Sequence, residues 1–135
     1  MKDFFCGQKS TYSRVITEKD VLAFAELSED FNPVHIDEKK AQESVFGQRI
    51  VHGMLLASFI SKVLGTDLPG EGTIYLKQEI KFIKPVYFND IVTVVVEITE
   101  IEKGRAKLTT NIYNQNQIMV VAGNALVKLP SEVNE

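Results

Sequence analysis

An acid and a histidine flank an asparagine–proline pair in the segment SEDFNPVH, which spans 28–35. Asp30 and His35 supply a carboxylate and an imidazole, the side chains that most often move protons near neutral pH. Pro33 fixes its own φ and disfavours helical backbone at Asn32, so we expect an extended, stiff loop rather than one more helical turn. The segment therefore predicts two proton-transfer groups held at a set separation.

The same residue types also form ordinary turns. On that interpretation Asp30 and Asn32 cap turns, and His35 is a satisfied polar residue where a helix begins. The segment taken alone leaves this structural alternative open.

A second segment, VHGMLLAS, places Gly53 where an apolar helix should begin. The residues that follow are apolar on nearly every side, which predicts a buried helix. They are Met54, Leu55, Leu56, Ala57, Phe59, Ile60, Val63 and Leu64. A helix N-terminus presents free N–H groups and the positive end of the dipole, and glycine adds no Cβ to screen them. The start of this helix would therefore suit a developing oxyanion.

Small residues continue along this helix. Gly53, Ala57 and Ser61 are spaced four apart and share one face, along which a thin ligand would be able to approach the backbone. The alternative is that small residues only let a strand pack closely against the helix.

In this order, the two segments resemble the hydratase 2 signature of the MaoC-like, (R)-specific enoyl-CoA hydratases. The resemblance covers nearly the whole chain, from KSTYSRVIT through LPGEGTIYL and KFIKPVYFND to ALVKLP. It is closest to the short bacterial hydratases that feed polyhydroxyalkanoate synthesis. Ala41, six residues after His35, also belongs to the signature. Glu29 departs from it, because that position is commonly glycine.

The resemblance implies an α+β hot-dog fold, in which a long antiparallel β-sheet wraps around a central α-helix, in a dimer. It also implies reversible hydration of a short-chain trans-2-enoyl-CoA to the (R)-3-hydroxyacyl-CoA, with no cofactor beyond the CoA of the substrate. The physiological pathway stays open, because hydratases of this kind serve several acyl-CoA routes.

The resemblance further assigns roles to residues. Asp30 and His35 would hold one water between them, with Asp30 as general base, although which residue handles which proton is left open. The Gly53 N–H would stabilise the thioester oxygen, and Asn32 and Ser61 would be supporting residues.

Acyl-chain length would be set where the pocket ends. Leu64 and Leu126 are the candidates by matched position, and leucine at both predicts a short acyl chain. The alternative is that both are simply core residues, as leucines on buried helices and strands usually are.

Size and composition are typical of one soluble globular domain over residues 1–135, with 44% hydrophobic and 24% charged residues. A net charge of −3 without a basic run offers no attraction to nucleic acid or to an anionic membrane. The lone Cys6 and the absence of an apolar leader predict a cytoplasmic protein. Metal binding is not indicated, since two histidines seventeen apart and one distant cysteine make no ligand set, although carboxylates would be able to join them in three dimensions.

The first half of the chain reads as helical and the second half as strands, which indicates an α+β fold. Thr17 and Asp20 mark a helix start, a short helix begins near Asp37, and 73–83 alternates as a half-buried strand. Three further strands follow as an antiparallel meander joined by KG and QN turns. Because one sheet cannot fully cover the apolar helix, we expect dimerisation through a sheet edge.

Three other functions fit parts of the pattern. A hot-dog thioesterase would hydrolyse the same thioesters, and a binding module would keep the pocket without the chemistry. A dehydratase for carrier-protein substrates would need a basic docking face, for which the sequence offers no clustered lysines.

Overall fold

The structure is a computed structural model that describes residues 3–131. It contains five strands and four helices in that range. In chain order these are β1 (Lys9–Val15), α1 (Glu18–Ser28), α2 (Pro33–Ile36), α3 (Glu38–Gln42), α4 (Gly53–Thr66), β2 (Ile74–Phe82), β3 (Ile91–Glu102), β4 (Arg105–Tyr113) and β5 (Met119–Lys128). No helix within residues 3–131 is long and apolar enough to span a bilayer.

One antiparallel sheet holds all five strands in the order β1-β3-β4-β5-β2. The predicted meander is confirmed as β3, β4 and β5, while β2 crosses over to pair with β5 at one edge. The predicted α+β arrangement is therefore present, with the sheet curved around α4.

The hydrophobic core lies between α4 and the concave face of the sheet. Six residues of α4 are buried, and they meet inward-facing residues of β3, β4 and β5 because strand side chains alternate between faces. The helix residues are Leu55, Leu56, Phe59, Ile60, Val63 and Leu64. This packing fixes the first turn of α4, where Gly53 lies.

The predicted helix start at Thr17 is confirmed as a capping box. The Thr17 hydroxyl accepts from the Asp20 N–H at 3.2 Å, and the Asp20 carboxylate accepts from the Thr17 N–H at 3.0 Å. Asp37 caps α3 with a single hydrogen bond, in which its carboxylate accepts from the Lys40 N–H at 3.1 Å. These caps set the ends of the helices on either side of the 28–35 segment.

The predicted extended loop is wrong beyond Asn32. Asn32 has ψ of 126° and is not helical, but Pro33–Ile36 forms a helical turn, α2. Proline suits the first position of a helix, because its fixed φ is helical and its missing N–H would have had no acceptor there. The Asn32 side chain accepts from the Val34 N–H at 3.3 Å, so the turn is capped by asparagine and begun by proline.

The edge strand β2 is more exposed than its alternating sequence predicts. Ile80 is partly buried, but Ile74, Leu76 and Phe82 are 52%, 43% and 49% exposed. The cause is the position of β2 at the sheet edge, where only β5 covers one side. A row of apolar side chains therefore faces solvent in the single chain.

Candidate active site

The loop that carries Asp30 is shaped by the end of α1. Glu29 adopts left-handed backbone, with φ of 62°, and turns the chain out of the helix. The Asp30 N–H then donates to the Ser28 hydroxyl at 3.1 Å, and the Asp30 carboxylate accepts from the Asn32 N–H at 3.1 Å. The hydrogen bonds of Asn32 are thus local to the loop, and its supporting role stays a prediction.

His35 is held in α2 with one ring nitrogen engaged. Its Nδ1 lies 2.8 Å from the Ile50 carbonyl oxygen. Since a carbonyl only accepts, Nδ1 carries the proton and donates. In this tautomer Nε2 carries the lone pair, and the buried ring is held in one orientation by the Ile50 contact.

The structure adds His52, to which the sequence analysis assigns no role. Its ring is 1% exposed and stacks on His35, with centroids 3.9 Å apart and planes at 24°. Phe24 meets the same ring edge to face at 4.9 Å. The VHG segment contains this histidine, but only the fold reveals that it lies against His35.

His52 also contacts the Asp30 loop. Its Nε2 lies 3.1 Å from the Asp30 carbonyl oxygen, so Nε2 donates, while Nδ1 is buried without a hydrogen-bond partner. Burial lowers the pKa of His52, helped by the neighbouring charge of His35 and opposed by the hydrogen bond to Asp30. His52 is therefore neutral in the folded protein near pH 7.

A carboxylate oxygen of Asp30 and ring nitrogens of His35 and His52 lie within 4.8 Å of one another. One water with two hydrogen bonds of about 2.8 Å spans a gap of that size. Three such groups also form a possible cation ligand set, but stacked rings direct their in-plane lone pairs side by side rather than toward one ion. The arrangement suits proton transfer through a water better than metal ligation.

Gly53 is the first residue of α4, so its N–H has no intrahelical acceptor. It lies beside His52 and lines the same cleft as Asp30 and His35. A Cβ on Gly53 would lie 2.7 Å from the Phe82 ring, closer than side chains approach. Any side chain at position 53 would therefore have to displace the Phe82 ring, which itself lines the cleft.

The cleft has a volume of about 380 Å³, and three of its polar lining residues, Asp30, His35 and His52, cluster together. Among the described residues that line the cleft, Lys84 is the one with a cationic side chain. The other walls are mainly apolar, as in a site for an acyl chain or another hydrophobic group. They include Phe46, Ile50, Val51, Met54, Leu56, Phe82, Ile83, Pro85 and Val86.

Ser61 does not lie in this cleft in the single chain. It is exposed in a second groove between α4 and β2, together with Phe24, Met54, Tyr75 and others. Met54 lines both cavities. Within the single chain, Ser61 and Asp30 therefore line different cavities.

The two leucines proposed for the acyl pocket lie apart from the cleft. Leu64 is 1% exposed in the core, and Leu126 lines a shallow depression on the outer sheet face with Thr99 and Lys107. Ala125 and Val127 point inward instead, because side chains alternate along β5. Within one chain, Leu64 matches the core alternative, and Leu126 faces away from the site.

The architecture is that of a hot-dog protein, and its cleft brings together an acid and two histidines. Residues 7–118 match the family described as MaoC like domain, to which this chain belongs. The family expected from the sequence is confirmed.

Named relatives agree with this membership. The (R)-specific enoyl-CoA hydratase of Aeromonas caviae is 48% identical over 126 residues, covering 92% of this chain and 94% of the relative. That of Rhodospirillum rubrum is 44% identical, covering 93% and 88%.

A solved structure also matches. The (R)-hydratase from A. caviae involved in PHA biosynthesis superposes with a TM-score of 0.93 at 47% identity, covering 96% of this chain and all of that one. The predicted hot-dog fold is confirmed.

Proposed function

We propose that this protein is an (R)-specific enoyl-CoA hydratase, a hydro-lyase that adds water reversibly to short-chain trans-2-enoyl-CoA. The observation that carries the proposal is the Asp30–His35 pair, whose polar atoms lie within the reach of one water in a mainly apolar cleft. The names of relatives that match over nearly the whole chain support the same reaction.

In the proposed step, one water lies between the Asp30 carboxylate and His35 Nε2. Asp30 accepts a proton as the water oxygen bonds to C3 of the enoyl group, and the C2=C3 π electrons move toward the thioester carbonyl. The Asp30–His35 pair then gives one proton to C2, so the substrate gains OH at C3 and H at C2 and the pair returns to its starting charge. His35 is able to take part in this proton transfer, because its Nδ1–H donates to the Ile50 carbonyl and its Nε2 is left to contact the water.

Charge that develops on the thioester oxygen would meet the Gly53 N–H at the start of α4. One such donor is worth roughly 3 to 4 kcal/mol in other enzymes. The proposed reaction uses no cofactor apart from the CoA of the substrate. Asn32 would act by holding the Asp30 loop rather than by touching substrate.

The proposed working unit is a homodimer formed through β2, with residues 1–135 as one domain in each subunit. The exposed apolar residues of β2 support this, as does its unpaired edge, which is a template for another strand. In such a dimer the second groove would face the partner. Supporting roles for Ser61, Leu64 and Leu126 are proposed only in that setting.

The cytoplasm is the proposed location, supported by the lone exposed Cys6, which suits a reducing compartment. Polyhydroxyalkanoate supply is one acyl-CoA route that this activity would serve.

The test follows purified protein with crotonyl-CoA. We expect loss of the enoyl-thioester absorbance, no release of free thiol, and a product that an (R)-specific 3-hydroxyacyl-CoA dehydrogenase oxidises. Free thiol would indicate a thioesterase instead. Binding of crotonyl-CoA without turnover would indicate a binding module, and turnover restricted to carrier-protein thioesters would reassign the substrate.

A further inference from the structure

We infer that His52 is a positioning residue for the proposed hydration, acting through the Asp30 backbone. Its Nε2–H donates to the Asp30 carbonyl and sets where the Asp30 carboxylate lies relative to His35 Nε2. The inference rests on the proposed function, since it concerns the water held by that pair.

The Asp30 loop has few other anchors to the core. Its other side-chain hydrogen bonds are local, from the Asp30 N–H to Ser28 and from the Asn32 N–H to Asp30. Asp30 itself is exposed, whereas His52 is buried at the start of α4. Among the described side chains, the His52 contact is therefore the one that ties the Asp30 backbone to the central helix.

The ring of His52 is itself immobilised. Phe24 meets it edge to face, and His35 stacks on its face at 3.9 Å. One ring thus contacts both catalytic candidates, His35 by stacking and Asp30 by donating a hydrogen bond. A shift of His52 would change the Asp30–His35 spacing, and small misplacements of reacting groups slow catalysis strongly.

Burying the polar ring of His52 costs free energy, and its hydrogen bond to the Asp30 carbonyl is the contact that offsets this cost. Its Nδ1 is buried without a partner, and such a group destabilises the folded state. A phenyl ring would fill the same space, stack on His35 and avoid that cost. What only the imidazole supplies is the N–H to Asp30.

Two substitutions separate the ring from the donor. His52→Phe keeps a ring beside His35 and removes the N–H, whereas His52→Gln removes the ring and keeps an amide N–H near the Nε2 position. On crotonyl-CoA we expect His52→Phe to lower kcat by about 10-fold or more with KM within about threefold of wild type. His52→Gln should retain kcat within about threefold of wild type, since the donor is kept.

Val63→Ala is the control for a purely structural effect, because Val63 is fully buried on α4 and lies outside the cleft. This variant should lose stability but keep kcat per folded molecule. Wild-type kcat in His52→Phe, or equal losses in the Phe and Gln variants, would overturn the inference.

Heteronuclear NMR on histidine-labelled protein gives a readout that needs no turnover. The chain has two histidines, so each signal set is assigned from a single variant. We expect His52 to be the neutral tautomer with the proton on Nε2, and a protonated Nδ1 would overturn the inference. Absence of hydration by the wild type would instead refute the proposed function, and the tautomer would still report on the contact.

Discussion

The Phe82 ring occupies the space that a side chain on Gly53 would need, with 2.7 Å between its Cε1 and an added Cβ. Phe82 comes from the edge strand β2 and Gly53 from the start of the central helix, and both line the Asp30 cleft. The proposed oxyanion donor therefore lies directly against a wall of the site.

Gly53→Ala should impair activity more than stability. Phe82 is half exposed and its ring is able to move, so the methyl group would displace it within the cleft. Alanine favours a helix over glycine by about 1 kcal/mol, which offsets part of the strain. We expect kcat/KM for crotonyl-CoA to fall about 10-fold or more, with the free energy of unfolding changed by less than about 1 kcal/mol.

Gly65→Ala is the matched control on the same helix, since open space surrounds that position. It should keep full activity. Equal activity in the Gly53 and Gly65 variants would contradict the role given to the first turn of α4.

Glu29→Gly should stabilise the protein. A residue with a Cβ pays about 1 kcal/mol in left-handed backbone, which Glu29 adopts with φ of 62°. We expect the free energy of unfolding to rise by about 0.5 to 1 kcal/mol in denaturant titrations. Glu26→Gly, on the exposed face of α1, should lower it by about the same amount. A loss of stability in both variants would show that the turn tolerates glutamate without strain.

This turn illustrates what the sequence was able to predict. The motif shows that Glu29 occupies a position that is commonly glycine in the family. Its left-handed φ, however, is seen only in the structure. The capping box at Thr17, the start of α4 at Gly53 and the meander followed from local signals in the sequence. The helical turn at Pro33 did not follow from local signals, because proline has two opposite effects. It disfavours helical backbone at the residue before it, and it favours a helix in which it is itself the first residue.

Acid should destabilise the protein through His52. Burial lowers the pKa of His52 below its usual 6.5 in the folded state, so the unfolded chain binds the proton first as pH falls. The stability that neutral His52 contributes is present above pH 6.5 and is lost as pH falls through the folded-state pKa. Denaturant midpoints at about pH 7.5 and about pH 5.5, at one protein concentration, measure the loss.

His52→Gln should show a smaller fall between the two pH values, since glutamine does not titrate. The difference between wild type and variant reports the titration of His52 together with its coupling to the stacked His35. An identical fall in both proteins would mean that His52 takes up its proton without a cost in the fold.

The exposed edge of β2 should be a subunit interface. We expect sedimentation to give about twice the 15.2 kDa mass of one chain. Leu76→Lys should shift the protein toward monomer, because symmetry places two new charges at one apolar contact. Thr11→Lys on the other edge strand, β1, should leave the mass unchanged. A monomeric wild type, or a dimer lost only in Thr11→Lys, would contradict this interface.

The site was predictable from sequence only in part. Asp30, His35 and Gly53 belong to local motifs, and the fold brings them into one cleft. Ser61, Leu64 and Leu126 are predicted only from positions matched to the family. In the single chain they lie in another groove, in the core and on the outer face, respectively. His52 was missed, because its role depends on a stack with a residue seventeen positions earlier.

The most direct measurement is kcat/KM for crotonyl-CoA in wild type, Asp30→Asn and His35→Ala, with (R)-3-hydroxybutyryl-CoA as the product followed. Asparagine keeps the shape of Asp30 but is not a base, so we expect losses of about 100-fold to 10,000-fold in each variant. Folded protein and retained binding of crotonyl-CoA would show that chemistry alone is lost. Turnover near the wild-type rate in Asp30→Asn would contradict a water activated by Asp30 and His35.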